Sequence, residues 1–201
     1  MGQSMKMQLR QLSEITPGPS GSLLGDLKDG PNGVPVISPS DLTERNAVDV
    51  RNVRRVPLSE AKKLARFALQ AGDLLVVRQG SLGRVALISE QQATWFYNSS
   101  FLRIRPRLEV ILPEYLVSYL SYPPVQRDLL GQALPGTVPS LNSAMLNELP
   151  IVVPPKEQQR AVIETLTDID SQIEIQRAIT DRLDTLKSAI FREMIEGVRH
   201  S

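Results

Sequence analysis

The 201-residue sequence contains no cysteine and one histidine, His200. The absence of cysteine excludes disulfide bonds, thiolate nucleophiles and cysteine-ligated metals, and it fits a protein of the cytoplasm. His200 is the penultimate residue, where chain termini fray, so we expect a solvated tail residue there and neither a catalytic base nor a ligand. Metal sites built from cysteine and histidine are therefore excluded.

Long apolar segments are also absent. No run approaches the ~18 apolar residues of a membrane-spanning helix, so we expect no membrane partner. Residues Met1–Met7 have neither an apolar core nor a small-residue cleavage site, which predicts that there is no secretory signal. No glycine-rich loop follows a predicted strand, and no Gly-Lys-Ser or Gly-Lys-Thr ends a phosphate loop. The sequence thus predicts no cofactor.

Two short patterns resemble catalytic motifs but have the wrong surroundings. Glu60-Ala61-Lys62 has the spacing of metal-dependent nucleases, with Asp41 or Asp49 available as a further acid, yet it falls in a helical pattern and not on a strand. Tyr122-Pro123-Pro124 resembles part of the Pro-Pro tetrapeptide of adenine methyltransferases, but it lacks Asp or Asn before the prolines and an aromatic residue after them. We therefore expect no catalysis by this chain alone.

The overall composition is that of an ordinary folded protein. Hydrophobic residues make up 41% and charged residues 22%, which excludes the disordered and membrane classes. The net charge is +1, of which residues 1–155 contribute +3 and residues 156–201 contribute −2. This asymmetry is too mild to identify a nucleic-acid-binding protein by itself.

The first part of the chain fits short strands between tight turns. Gly, Pro and Ser are dense from Leu9 to Ser40, and Val34–Ile37 fits a strand whose Pro35 suggests a sheet edge. The other predicted strands are short apolar or alternating runs: Leu74–Val77, Val85–Ile88, Phe101–Arg107 and Leu149–Val153. The glycines between the first two of these runs predict a hairpin. As a strand, the third run projects its three arginines from one face.

Two short helices are predicted between these strands. The first spans Leu58–Leu69, where three- and four-residue spacing forms an apolar stripe from Leu58, Ala61, Leu64, Ala65 and Ala68. Lys62, Lys63 and Arg66 then lie away from that stripe. The second spans Pro113–Tyr122 and begins with proline, and irregular structure is expected after it through Ser140.

The longest predicted element follows Pro154-Pro155, because neither Gly nor Pro occurs from Lys156 until Gly197, the expected terminating residue. Its apolar residues recur at steps of four and three, interrupted at Gln176, which is coiled-coil spacing. This seam, the predicted dimerisation surface, consists of Val162, Leu166, Ile169, Ile173, Ile179, Leu183, Leu186, Ile190 and Met194. A stripe of this length needs a partner helix.

Basic and polar residues cluster on the predicted loops and strands of the first part. Each of these residues alone fits an ordinary solvated surface, but for the clusters taken together contact with double-stranded DNA is a comparable interpretation. Arginine can bind guanine in a bidentate manner, and lysine or hydroxyl groups can anchor phosphates. The candidate DNA-binding residues are Arg51, Arg54, Arg55, Lys62, Lys63, Arg78, Gln79, Ser81, Arg84, Arg103, Arg105 and Arg107.

The segment Leu149–Arg160, with Pro154-Pro155-Lys156-Glu157-Gln158, resembles the specificity subunits of type I restriction-modification systems, in which a strand ending in Pro-Pro leads into a spacer helix. Leu186–Ile190 is similar to the end of that helix. Weaker similarities occur upstream in the family's order, at Leu12–Ile15 with Gly18, Gly33–Ile37 with Asp41-Leu42, Ala71–Leu75, Gly80–Gly83 and Gly136–Leu141. Gly18–Gly21 departs from the short turn of many members.

The resemblance implies an α+β protein: a small, mostly antiparallel target-recognition domain over residues 1–153, then one long coiled-coil helix over residues 154–201. It implies a non-catalytic subunit that reads DNA and directs a DNA adenine methyltransferase (modification) subunit and a restriction subunit. Full members carry two copies of each part, so this chain resembles a half subunit that pairs with itself or another half. The alternative is a regulatory or degenerate module that binds the methyltransferase without reading DNA, and a nuclease using Glu60 and Lys62 is a third interpretation.

Overall fold

The computed structural model describes residues 3–19, 32–133 and 139–199. Contacts divide the chain into two units, Met1–Arg160 and Ala161–Ser201. No helix in the described part is both long and apolar enough to cross a membrane. Antiparallel sheets and a long C-terminal helix confirm the predicted α+β class.

The strands are β1 (Met5–Gln8), β2 (Ser13–Pro17), β3 (Val34–Ile37), β4 (Arg55–Val56), β5 (Leu74–Val77), β6 (Val85–Leu87), β7 (Phe96–Tyr97), β8 (Phe101–Pro106) and β9 (Pro150–Val153). The α-helices are α1 (Leu9–Leu12), α2 (Leu58–Ala61), α3 (Pro113–Ser121), α4 (Pro123–Gly131), α5 (Ser143–Glu148) and α6 (Lys156–Arg199). Short 3₁₀ helices span Pro39–Asp41, Lys62–Phe67 and Glu90–Gln92.

The central sheet has the order β2-β8-β5-β6 and is antiparallel throughout. The predicted β5–β6 hairpin is confirmed, and Gly80 and Gly83 in its turn have φ values of 83° and 77°, a backbone region that favours glycine. All four residues of β5 are buried. One side of the core contains Phe67 and Tyr97, whose rings meet edge to face at 6.1 Å.

The second sheet, β4-β3-β7, corrects the prediction that β3 is an edge strand. Val34 and Pro35 pair with β4 in antiparallel fashion, whereas the last two residues of β3 pair with β7 in parallel. Pro35 is tolerated because β7 pairing begins only after it, so its missing N–H interrupts no bond on that side. β3 therefore joins two partners with different halves of its length.

A separate pair, β1-β9, joins the two ends of the first unit. The strand predicted before Pro154 is confirmed as β9. Two tyrosines of α3 contact it, since the Tyr115 hydroxyl donates to the Val152 carbonyl at 2.9 Å and the Tyr119 hydroxyl donates to the Pro150 carbonyl at 3.4 Å. These hydroxyls satisfy carbonyl groups that have no strand partner.

The helix predicted over Leu58–Leu69 is only partly correct. It is α-helical through Ala61 and then winds as the 3₁₀ helix Lys62–Phe67. With three residues per turn, Leu64 and Phe67 lie on the same buried side, whereas Leu58 is 66% exposed. Phe67, which the α-helical spacing did not predict to be buried, therefore forms part of the buried side.

The segment after α3 corrects a second expectation. Irregular structure was predicted there, but Pro123 and Pro124 begin helix α4, in whose first turn their missing N–H groups cost no hydrogen bond. The predicted irregular segment also includes residues 134–138, which lie outside the described residues, as do most of the turn residues between Gly18 and Gly33.

Helix α6 spans Lys156–Arg199, so Gly197 lies within it and does not end it as predicted. At 1.5 Å per residue its length is about 66 Å. The predicted seam residues are 38% to 65% exposed, the range running from Leu166 to Met194. Within the second unit alone, the seam is exposed to solvent.

The start of α6 is fixed by Gln159, whose side chain is fully buried. Its Nε2 donates to the Val110 carbonyl at 3.1 Å and to the Pro154 carbonyl at 2.8 Å. Its Oε1 accepts a hydrogen bond of 2.8 Å from the Leu112 N–H. Only an amide offers both donors and an acceptor in this arrangement, which is a physical reason for glutamine at this position.

We expect Gln159→Glu to lower the free energy of unfolding by about 3 kcal/mol or more, because it buries a carboxylate in place of the amide that donates to two half-buried carbonyls. Urea unfolding of the full chain measures this loss. Gln158→Glu is the matched control, since Gln158 is exposed one residue away, and a change within about 0.5 kcal/mol is expected there. Equal effects of the two substitutions would contradict this role of Gln159.

Candidate nucleic-acid interface

The most basic part of the fold is residues 51–66, which we name the basic segment. Its cations are Arg51, Arg54, Arg55, Lys62, Lys63 and Arg66. They are all exposed, and Glu60 is the only acidic residue in the segment. β4 attaches the segment to β3, where the Arg55 Nη1 donates to the Gly33 carbonyl at 3.1 Å. The result is a contiguous stretch of positive charge on short, solvent-facing elements.

The 3₁₀ helix explains how the second half of the basic segment presents its charges. Because its period is three, Leu64 and Phe67 face the core while Lys62, Lys63 and Arg66 remain exposed. The Arg66 guanidinium lies 4.6 Å from the centre of the Phe67 ring, a cation–π contact that orients it. Arg66 was absent from the predicted DNA-binding set, although its three-residue spacing from Lys63 was a usable signal.

Arg51 is paired with a carboxylate at the start of the segment. Its Nε lies 2.9 Å from Asp49 Oδ1 and its Nη2 lies 2.6 Å from Oδ2. These hydrogen bonds lower the pKa of Asp49 to about 2. Although the Arg51 side chain is exposed, much of its charge is neutralised, so it is less suited to a phosphate than the lysines are.

The hairpin turn separates its predicted residues into two groups. Gln79 and Ser81 are exposed, whereas Arg78 and Arg84 are half-buried. Arg84 donates to the carbonyls of Pro39 and Leu42 at 3.3 and 2.6 Å, so it ties the turn to the preceding 3₁₀ helix. These hydrogen bonds give Arg84 a structural role in the domain, and its predicted contact with DNA stays a prediction.

Arg103 is the clearest correction to the predicted exposed face. Its side chain is 4% exposed, and it donates to the Thr16 hydroxyl at 3.1 Å and the Ala68 carbonyl at 3.4 Å. Glu14 Oε1 lies 3.5 Å away. Among the described residues its Nε has no hydrogen-bond partner. Strand alternation placed this arginine on one face correctly but could not reveal that other elements cover that face.

Arg105 also has an internal partner. Its Nε and Nη2 each lie 2.7 Å from an oxygen of Asp73, whose side chain is 1% exposed. Hydrogen bonding to this carboxylate raises the pKa of Arg105. Asp73 also accepts a bond of 2.8 Å from the Gln70 N–H, which closes the turn before β5. Of the three arginines predicted to share a face, Arg107, after the end of β8, is the exposed one.

An open cavity of about 430 Å³ lies beside the basic segment. Its lining includes Glu14, Thr16, Arg66 and Arg103, so it joins the end of β2 to the 3₁₀ helix. Gly18 at its edge leaves no room for a side chain, because a Cβ would lie 2.0 Å from the Asn98 carbonyl oxygen.

The residues that suggested a metal-dependent nuclease lie in structural settings that do not fit such a site. Glu60 and Lys62 lie at the junction of α2 with the 3₁₀ helix and not on a strand. Asp41 accepts hydrogen bonds from the Ser38 N–H and hydroxyl, capping a short turn. The described residues contain no group of three or more His, Cys, Asp or Glu arranged to hold a metal ion.

We expect Arg105→Ala to lower the free energy of unfolding by about 3–5 kcal/mol, because it leaves the Asp73 carboxylate buried without its cation. Arg107→Ala removes the same side chain from an exposed site and should change stability by no more than about 0.5 kcal/mol. Urea unfolding of both variants tests the contrast. A small effect of Arg105→Ala would mean that the pair contributes little.

Comparison with known proteins identifies the family. Residues 1–185 match the model of the type I restriction modification DNA specificity domain. The chain is 26% identical over 148 residues to the type I restriction enzyme HindI specificity subunit of Haemophilus influenzae, covering 72% of this chain and 31% of the relative.

Solved structures resemble the fold. The HsdS subunit from Thermoanaerobacter tengcongensis superimposes with a TM-score of 0.59 at 18% identity, covering 87% of this chain and 39% of that one. A chain in a structure of the type I R-M system gives 0.66 at 20% identity, covering 94% and 45%. The present chain thus spans less than half the length of each. The resemblance predicted from the sequence is confirmed, and the chain belongs to the family of type I restriction modification DNA specificity domains.

Proposed function

We propose that this chain reads double-stranded DNA for a type I restriction-modification complex and directs adenine methylation and cleavage by separate modification and restriction subunits. The observation that carries the proposal is the exposed basic segment, within a chain of the DNA specificity family. Residues 1–153 would serve as the target-recognition domain and residues 154–201 as the spacer helix. Its place of action would be the cytoplasm, where the DNA lies.

The accessible basic and polar side chains are divided between two kinds of contact with DNA. Lys62, Lys63 and Arg66 on one short helix suit the phosphate backbone, which rewards positive charge regardless of sequence. Gln79, Ser81 and Arg107 are exposed and carry the groups that distinguish base edges. The buried Arg103 and the paired Arg105 support these surfaces from below.

The proposal includes pairing of two halves. The chain covers 31% to 45% of the relatives compared above. The seam of α6 exposes apolar side chains along most of its length, and such a stripe is stabilised by a partner helix. An antiparallel homodimer through α6 would assemble two recognition domains in one object, with two-fold symmetry.

We expect Lys62→Ala, Lys63→Ala and Arg66→Ala together to weaken binding to all DNA sequences alike and to flatten the dependence of log K on log salt by about one unit for each lost phosphate contact. Mobility shifts on random double-stranded DNA, with and without the cognate modification subunit, measure both quantities. Arg127→Ala, exposed on α4, is the matched control and should leave the slope unchanged.

If the triple variant binds DNA as the parent does, the basic segment is not the interface. If the parent with its modification subunit binds no DNA, the chain is an interaction module and not a reader. Sequencing of methylated DNA from cells carrying both subunits provides an independent test. A palindromic bipartite motif is expected from two identical halves, and a non-palindromic motif would contradict self-pairing.

A further inference from the structure

The cavity beside the basic segment contains a buried cation that is only weakly paired. Arg103 lines this cavity and is 4% exposed. Its guanidinium donates two hydrogen bonds to described residues, to the Thr16 hydroxyl and the Ala68 carbonyl, although the group offers five N–H donors. Within the described part of the chain its ion-pair partner is Glu14, whose Oε1 lies 3.5 Å from Nη2 and whose side chain is 71% exposed.

Arg105, two residues further along β8, is paired more completely. Two of its nitrogens lie 2.7 Å from the oxygens of Asp73, a carboxylate that is itself buried. Burial of a charge is costly unless a partner and hydrogen bonds compensate it. Arg103 has an exposed partner at a longer distance, so its charge remains available to a further anion.

The position of Glu14 marks where an anionic oxygen lies in this cavity. The Thr16 hydroxyl accepts a hydrogen bond from Arg103 at 3.1 Å and donates one to Glu14 Oε1 at 3.2 Å. Antiparallel pairing of β2 with β8 places Thr16 opposite Arg103, and strand alternation places Glu14 on the same face. The sheet thus holds both donor groups in place, whereas the exposed Glu14 side chain is free to rotate toward solvent.

We propose that this cavity is a phosphate site for the DNA backbone, and that Glu14 occupies it until a phosphate oxygen displaces the carboxylate. The inference deepens the proposed function and rests on it. Arg66 lines the same cavity and belongs to the basic segment, so a DNA strand held by that segment lies beside the opening. Arg66 and Arg103 then supply charge-assisted hydrogen bonds to the phosphate, and the Thr16 hydroxyl supplies a neutral one.

The exchange of one anion for another has a consequence for affinity. Arg103 keeps a partner both with and without DNA, so the fold does not depend on the ligand. The displaced Glu14 carboxylate remains near the bound strand, where it repels the phosphates. Glu14 therefore weakens binding to all DNA sequences alike, and its removal should strengthen that binding.

Fluorescence anisotropy of the full chain with a random-sequence DNA duplex tests this competition. Glu14→Gln should tighten binding by about two- to fivefold at low salt, because it removes one exposed charge, and the gain should shrink as salt rises. Glu114→Gln is the matched control: Glu114 is also exposed but does not line the cavity, so its substitution should leave the affinity unchanged.

Thr16 separates a built site from a general effect of charge. Thr16→Val removes the hydroxyl with little change of shape and should weaken binding, whereas Thr16→Ser should recover most of the loss. In the Thr16→Val background the gain from Glu14→Gln should largely disappear. An equal gain in both backgrounds would show that Glu14 acts only through long-range repulsion, which would overturn the phosphate site.

The nuclear magnetic resonance signal of the Arg103 Nε–H group, assigned by its loss in Arg103→Lys, reports on the cavity directly. It should shift on addition of inorganic phosphate and on addition of the duplex. A shift with phosphate but none with bound duplex would identify a site for free phosphate and overturn the DNA assignment. If the parent binds DNA and no substitution at Glu14 or Thr16 alters its affinity, this site is refuted and the proposed function stands. If the parent with its modification subunit binds no DNA, the proposed function itself fails.

Discussion

The hydrogen bonds of one buried amide fix the point at which the long helix leaves the first unit. Gln159 joins the first turn of α6 to the segment that follows β8 and to the end of β9. β9 is in turn paired with β1, so the first and last strands of the unit are fixed through the same region. Because the amide is fully buried, loss of these partners would leave it without water to replace them. Of the two glutamines that follow Glu157, the fold encloses Gln159 and leaves Gln158, the glutamine of the Pro-Pro-x-Glu-Gln pattern, exposed.

Arginine has two different roles in this domain, and the difference depends on distant partners. Arg103 and Arg105 lie on β8, but their surroundings are supplied by Thr16, Ala68 and Asp73 from three other segments. Their charges are used to join the central sheet to the turn before β5. The cations of the basic segment have short, local elements beneath them, and they remain in contact with solvent. Fewer arginines therefore contribute to the exposed positive surface than the sequence alone suggests.

Local pattern was enough to predict the hairpin, β9 and the long helix, because period and turn residues are properties of neighbouring positions. Prediction from local pattern failed where contacts between residues distant in sequence determine the structure. The 3₁₀ helix buries Phe67 against Tyr97, which is distant in sequence, and the burial of Arg103 follows from elements far along the chain. Helix α4 was not predicted, although Pro123 and Pro124 fit the first turn of a helix. For the candidate interface, sequence located the cations, but only the fold separates exposed cations from enclosed ones.

The divided pairing of β3 bears on how such a protein changes over evolutionary time. The strand pairing that joins the basic segment to β3 consists of only two residue pairs, Val34 with Val56 and Pro35 with Arg55. The other half of β3 is held independently by β7. Substitutions, and even changes of length, between these anchors would leave the hydrogen-bond ladder of the central sheet intact. Exposed residues of the surface that carries the charge can therefore change without altering the strand pairing of the central sheet.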